Sequence, residues 1–247
     1  SINRIDVKIS NINNYSIKEN QWVIKFHQRY NADNYNDYGI KTMVIEKQDN
    51  GEFKIARIQY DGGGDWYNDP SALPNLIRFT KNHVKLPVSE SFDDVHIGSR
   101  DLFNYPFAFL TGHGTIKTNR SDIENLRKWL DNGGFLYIDD DYGLDPHVRQ
   151  LVDKLYPDNE FVEVPFGHPI YNKLFKIENG LPKIHEHDGK PPQGFGLFQE
   201  GKMVIFYTYE SNLSDAWTNP EVHNPPPALR ERALRMGANI LIYALTS

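Results

Sequence analysis

The sequence predicts an α/β protein: a parallel β-sheet with helices on both faces, preceded by a β-rich N-terminal extension over residues 1–51. Three observations predict it. From residue 52 onward, short apolar runs of strand type alternate with segments of helical period. Glycine- and aspartate-rich loops close those runs. Residues 1–51 carry strand-like stretches and a different charge balance, seven Lys/Arg against six Asp/Glu, so the net acidity lies in the remainder.

In the extension, Trp22, Ile24 and Phe26 alternate with Val23, Lys25 and His27, and a second β-rich stretch covers Ile40 to Lys47, which together predict a β-hairpin. Asn31 to Gly39, rich in Asn, Asp, Tyr and Gly, predicts a surface loop between them. In the second region, 52–247, Phe53 to Tyr60 reads as a strand that runs through Asp61-Gly62-Gly63-Gly64-Asp65-Trp66-Tyr67 into a helix around Leu73 to Asn82. Phe107 to Leu110 is a short buried strand closed by Thr111-Gly112-His113-Gly114. Ser121-Asp122-Ile123-Glu124 fits a capping box for a helix with Ile123, Leu126 and Leu130 on one face and Gly133 at its stop. Gly134 to Ile138 is a strand ending in Asp139, Asp140 and Asp141, and Asp145-Pro146 opens a helix with Val148, Leu151, Val152 and Leu155 as its apolar stripe. Two strands return at Phe195 to Phe198 and Met203 to Tyr209, and a helix from Pro227 to Leu245 closes the pattern.

Composition narrows the function. With 33 acidic and 27 basic residues and no basic block, the chain is not built for nucleic acid. Its apolar runs, such as Met203 to Tyr207 and Ile240 to Leu245, are far shorter than the roughly 20 residues of a transmembrane segment. It contains no cysteine, which removes disulfides, thiolate metal sites and every thiol nucleophile. The start at Ser1-Ile2-Asn3-Arg4, without Met or an apolar leader, is expected of a processed chain.

In an open parallel sheet, ligands bind beyond the carboxyl ends of the strands. Three loops there carry chemistry. Gly63 and Gly64 allow close backbone approach to a ligand beside Asp65 and Trp66, or else form a tight turn with no ligand. Gly112, His113 and Gly114 place an imidazole beside exposed amides, the arrangement for proton transfer or oxyanion stabilisation, or a structural histidine. Asp139 and Asp140, followed by Asp141 and Tyr142, supply adjacent carboxylates, of which at most two share a site because side chains alternate along an extended segment. Further on, His168, His185, His187 and Lys190 add imidazoles and a cation. No motif calls for a cofactor. A divalent metal is the one the pattern admits, with His185 and His187 as candidate ligands and His113 and Asp140 able to complete the set, although His-Glu-x-x-His is absent.

Several motifs together resemble the domain-of-unknown-function family 4159 over about residues 52–247. They are Gly62-Gly63-Gly64-Asp65-Trp66-Tyr67, Thr111-Gly112-His113-Gly114, Gly133-Gly134-Phe135-Leu136 with its acidic strand end, His168-Pro169-Ile170-Tyr171, and Pro182 to Gly196. The resemblance implies a class I glutamine amidotransferase-like, flavodoxin-like fold and an exported, periplasmic or cell-envelope location, with no established activity. It places Ile138-Asp139-Asp140 at the turn where the amidotransferases carry a cysteine, and residues 111–114 at the oxyanion loop. A carboxylate there cannot serve as a glutaminase nucleophile. The expected function is a non-glutaminase binding or interaction module for a small polar ligand or an envelope partner. The alternatives are a hydrolase, carboxylate- or metal-dependent, with Asp140 and His113 as catalytic groups, and a structural role in the envelope.

Overall fold

The computed structural model describes residues 52–177 and 180–246 in full and the backbone of residues 5–18, 21–32 and 35–46. It divides into two compact units, Ser1–Glu52 and Phe53–Ser247.

The first unit is an antiparallel three-stranded sheet in the order β1 (Ile5–Lys18), β2 (Gln21–Ala32), β3 (Tyr35–Glu46). The expected hairpin therefore has a third strand, whose signal is the Ile5, Val7, Ile9 alternation. The loop expected over Asn31 to Gly39 is strand on both sides of residues 33–34, which lie outside the described residues, as does Lys47. Asn31 pairs with Asn36 and Tyr30 with Asp37. Ladder pairing beside a short connection overrides the polar composition there.

The second unit contains β4 (Phe53–Gln59), α1 (Ala72–His83), β5 (Val88–His96), β6 (Phe107–Leu110), α2 (Arg120–Asp131), β7 (Phe135–Asp139) and α3 (Asp145–Leu155). It continues with β8 (Val162–Glu163), β9 (Gln193–Gln199), β10 (Lys202–Tyr209), α4 (Leu213–Trp217), α5 (Pro220–His223) and α6 (Pro227–Thr246). The seven strands form one sheet in the order β5-β4-β6-β7-β10-β9-β8. β5, β4, β6, β7 and β10 are mutually parallel, but β9 runs antiparallel to both β10 and β8, so the sheet is mixed rather than parallel throughout. The reversal is made by Glu200 (φ 49°) and Gly201 (φ 81°), two left-handed residues whose twist suits a two-residue hairpin.

Side-chain alternation splits the core between the two faces of the sheet. Phe107, Phe109, Phe135 and Tyr137 pack with Leu76 of α1, Trp217 of α4 and Leu241 of α6. Ala108, Leu110, Leu136 and Ile138 pack with Leu126 and Leu130 of α2 and Val148 and Leu151 of α3. Helix α2 begins earlier than the Ser121 box predicts. Asn119 Oδ1 accepts from the Asp122 amide at 3.0 Å and Asp122 Oδ2 accepts from the Asn119 amide at 2.8 Å, so the reciprocal cap sits two residues upstream. No helix among the described residues is long and apolar enough to cross a membrane.

Helix α6 also fixes the irregular crossover before β9. Fully buried Asn239 accepts from the Leu174 and Phe175 amides at 2.9 and 2.8 Å and donates to the Phe175 carbonyl at 2.7 Å. Asn239→Ala removes the partner of three part-buried backbone groups. The expected loss is about 3 kcal/mol, read as a lowered midpoint in urea denaturation with an unchanged slope.

Candidate functional site

Strands β4, β6, β7 and β10 lie side by side and end at the same edge of the sheet, so four loops meet there. The triple-glycine loop after β4 is consumed in packing against the loop after β6. Asp61 bridges to Lys117 and Gly63 to Thr115. A Cβ on Gly62 (φ 121°) would sit 2.0 Å from the Thr115 carbonyl oxygen, and one on Gly112 (φ 118°) 2.7 Å from Tyr60 Oη. These two glycines allow the loops to come into contact, the role of a tight turn.

That contact sets His113 between two carboxylates. Its Nδ1 lies 3.0 Å from Asp65 Oδ2 and its Nε2 3.0 Å from Asp141 Oδ1. Its backbone amide donates to Asp65 Oδ1 and so is not free for an oxyanion. The side chain is 50% exposed and opens to solvent. Asp141 is further held by Asn68 Nδ2 at 2.9 Å and the Tyr142 amide at 2.9 Å. Burial raises the Asp141 carboxyl above its ordinary range, with Asp215 adding to the rise and His113 opposing it.

The three consecutive aspartates diverge, each to a different partner. Asp139 is fully buried and accepts from Thr208 Oγ1 at 2.6 Å, Ser214 N at 2.6 Å and Ser214 Oγ at 2.7 Å, which ties β7 to β10 and to the start of α4. Burial outweighs these donors and pushes its pKa up to about 6. Asp140 Oδ2 accepts from the Glu210 amide at 2.9 Å and faces His187 Nδ1 at 3.3 Å, while its buried Oδ1 has no partner.

Beyond β10 the chain takes left-handed backbone at Glu210 (φ 57°) and Asn212 (φ 52°). Asp69 and Asn224, in the other loops of the site, share that geometry, so four of the five described non-glycine residues with positive φ gather here. Glu210 is buried and pins the 183–192 crossover: Lys183 Nζ donates to its Oε2 at 2.8 Å and the Asp188 amide to its Oε1 at 2.6 Å. Burial alone would raise the Glu210 carboxyl, but these donors hold it below its ordinary value.

The pinned crossover carries His185 to Asp215, and α5 brings His223. His185 Nε2 lies 2.8 Å from Asp215 Oδ2, and His223 Nδ1 lies 3.6 Å from the same oxygen. His223 Nε2 meets Asp69 Oδ1 at 2.9 Å. The Asp215 carboxylate raises His185 against the effect of burial. Asp215 itself, which burial would raise, is held low by His185 and by a hydrogen bond with Asp69, whose own carboxyl burial lifts to about 6. Among the described residues, His185, Asp215 and His223 are the group whose ligand atoms fall within 4.8 Å of one another. Asn212 Nδ2 bridges the halves of the site, 3.3 Å from Asp141 Oδ1 and 3.1 Å from Asp215 Oδ2.

Of the residues singled out in the sequence, Asp65, His113, Asp140, His185 and His187 all lie in this edge cluster. His185 and His187 do not share a ligand point: His187 turns to Asp140 and Tyr142, and His185 to Asp215. Gly64, Gly112 and Gly114 approach the neighbouring loop closely, while Gly63 bridges to Thr115 with open space on its Cβ side. Trp66 packs edge-on to Tyr67 beneath the Arg57 guanidinium. Lys190 donates to Tyr209 Oη at 2.8 Å on the crossover. His168 lies elsewhere, against Phe198 and Tyr243. Phe198 pairs with Met203 at the start of β10, the opposite edge of the sheet. Sequence reasoning missed Asn68, Asp69, Glu210, Asn212, Asp215 and His223. A readable signal existed for three of them, since Glu210-Ser211-Asn212 follows a strand just as the three chosen loops do, with Asp215 close behind.

Two outcomes follow from this geometry. Gly112→Ala forces a Cβ into Tyr60 Oη on strained backbone, and is expected to cost at least about 2 kcal/mol with the melting temperature lowered accordingly. The Asp139 carboxyl keeps its proton in the fold after the unfolded chain has lost it. The stability linked to that proton is therefore full below the unfolded value of 3.8 and is lost as pH rises through about 6, while the hydrogen bonds the carboxylate accepts remain. A carbon-detected NMR titration of the Asp139 carboxyl is expected to give a midpoint near 6, not near 4.

No curated protein matches the chain. Residues 54–245 match the family model described as "Domain of unknown function (DUF4159)". That span takes in every element from β4 to α6 apart from Phe53 and Thr246 at its two ends, and every residue of the edge cluster, and the chain belongs to this family.

Proposed function

We propose that the crevice at the strand carboxyl ends is the active site of a hydrolase that uses no thiol, with His113 as its proton carrier. The observation that carries this reading is the placement of both His113 ring nitrogens 3.0 Å from a carboxylate oxygen, Asp65 on one side and Asp141 on the other, at a solvent-open position. Nδ1 is hydrogen-bonded to Asp65, which orients the ring, and Nε2, near Asp141 but not hydrogen-bonded to it, is left to take and return a proton on the open side. In the reaction, a water oxygen adds to the scissile centre and its proton enters the Asp65–His113–Asp141 chain. The bond to the leaving group then breaks, and the same chain returns a proton to it.

The test is a panel of chromogenic carboxylic esters, phosphate esters, amides and glycosides. At least one class is expected to be turned over, with the rate falling about 100- to 10,000-fold in His113→Ala and substantially in Asp141→Asn, both variants retaining the native circular dichroism spectrum. Turnover of no class above buffer, or a His113→Ala variant as active as the parent, overturns the reading.

A second reading, binding without turnover, is favoured by Tyr67 and Tyr142. They are 60% and 61% exposed, and each neighbours one end of the Asn68–Asp141 hydrogen bond. Such a pair offers two aromatic faces beside an acidic floor, suited to a small polar or cationic ligand. A ligand that binds equally well to the parent and to His113→Ala, without turnover, would favour it. The division into an extension (1–51) and a functional domain (52–247), the kinship with amidotransferase-like folds and the cell-envelope location are part of the same proposal. They are supported by the motif resemblance and, for the kinship, by the acidic turn after β7 lying beside the loop after β6.

A further inference from the structure

We infer that His185, Asp215 and His223 form a binding site for a first-row divalent transition-metal cation. The inference deepens the hydrolase reading by naming a cofactor for the same crevice. It stands on three observations that are independent of the His113 pair.

The first is convergence without hydrogen bonding. His185 Nε2 is 2.8 Å from Asp215 Oδ2, yet this buried nitrogen has no hydrogen-bond partner, because the ring does not aim an N–H at the carboxylate. Two donor atoms in near contact but out of line are placed as two ligands of one ion would be. Ligands about 2.0–2.2 Å from a metal stand roughly 3 to 3.5 Å from each other, close to the 2.8 and 3.6 Å separating Asp215 Oδ2 from the two imidazoles.

The second is the outer support. His223 turns Nε2 to Asp69 Oδ1 at 2.9 Å and leaves Nδ1 on the Asp215 side. A metal-bound histidine characteristically gives its other ring N–H to a carboxylate, which fixes its tautomer and orientation. Asn212 Nδ2, 3.1 Å from Asp215 Oδ2, orients the carboxylate in the same way.

The third is a buried oxygen acceptor left unsatisfied beside the site. Asn212, whose Nδ2 is 3.1 Å from Asp215 Oδ2, is 2% exposed, and its Oδ1 has no hydrogen-bond partner. With its amide nitrogen already engaged, this oxygen calls for a donor such as a cation or its bound water.

The donor set decides the class of ion. Two imidazoles and one carboxylate suit Zn2+, Fe2+, Mn2+ or Co2+ and disfavour Mg2+ and Ca2+, which prefer all-oxygen cages. Three protein ligands leave coordination positions open, as in catalytic centres and unlike closed structural ones. Asn212, shared between Asp215 and Asp141, places that open side in the chain of contacts that reaches His113.

The full chain, stripped with chelator, is titrated with Co2+ and Zn2+. Expected are one ion per chain, visible absorption bands for the Co2+ form, displacement of Co2+ by Zn2+, and a higher melting temperature with either ion but not with Mg2+. His185→Ala and His223→Ala are expected to abolish the bands, Asp69→Asn to weaken binding about 10- to 100-fold, and His83→Ala, an exposed histidine on α1, to leave binding unchanged. No bands and no bound Zn2+ in the parent chain overturn the inference, as do His185→Ala and His223→Ala variants that bind like the parent. Stoichiometric metal with His113→Ala fully active would sink the proton-carrier reading alone. Loss of activity in His113→Ala with no metal bound would sink the metal site alone.

Discussion

The carboxylate of Asp139 is the interaction on which the rest of the domain depends. It stands at full burial between the central strands and accepts three hydrogen bonds, from Thr208 on β10 and from the amide and hydroxyl of Ser214 at the start of α4. An acceptor of that strength satisfies a free amide of a short helix that could not hold itself in place. Helix α4 then carries Trp217 into the core against Phe109 and Tyr137, and Asp215 toward the crevice. One buried polar group therefore fixes the hydrophobic face of the sheet and its reactive edge together.

The crevice is an arrangement of like charges that the fold tolerates because each is answered locally. Asp65 and Asp141 share His113, Asp140 meets His187 and the Glu210 amide, and Glu210 holds Lys183. Where burial outweighs those answers, carboxyls rise, as at Asp69 and Asp139. The left-handed backbone at Asp69, Glu210, Asn212 and Asn224 shows the same tension in conformational form. Polar cost and backbone strain concentrated in one place, on an otherwise regularly packed sheet, distinguish a site from a surface.

Much of this was legible in the sequence wherever a pattern repeats over enough residues. The stripe of Val148, Leu151, Val152 and Leu155 is buried along α3, and the runs that form β4, β6, β7 and β10 lie at the heart of the sheet. Edge and short elements escape the same logic. Strand β5 shows only Val88, Phe92 and Val95 as apolar residues in nine, and α4 has five residues, too few for a period. The strand-end rule found Asp65, His113 and Asp140 because glycines and acids follow obvious strands. His223 could not be found that way. Its partner Asp69 is 154 residues distant, and nothing around it repeats. The resemblance identified the family and pointed to the turn after β7 and the 111–114 loop, but carried no role for Asp69, Asp215 or His223.

The separation of those partners along the chain has a consequence for biosynthesis. β10 enters the sheet beside β7 only after more than fifty intervening residues, and α6, which completes one face of the core, follows later still. A nascent chain that has emerged through the turn after β7 already owns Asp65, His113 and Asp141 but has neither the Asn212 bridge nor the Asp139 clamp on α4. Such non-local closure comes late in folding. Competence at the crevice is thereby coupled to synthesis beyond α4, and a chain released before it would carry its acidic loops without the partners that answer them.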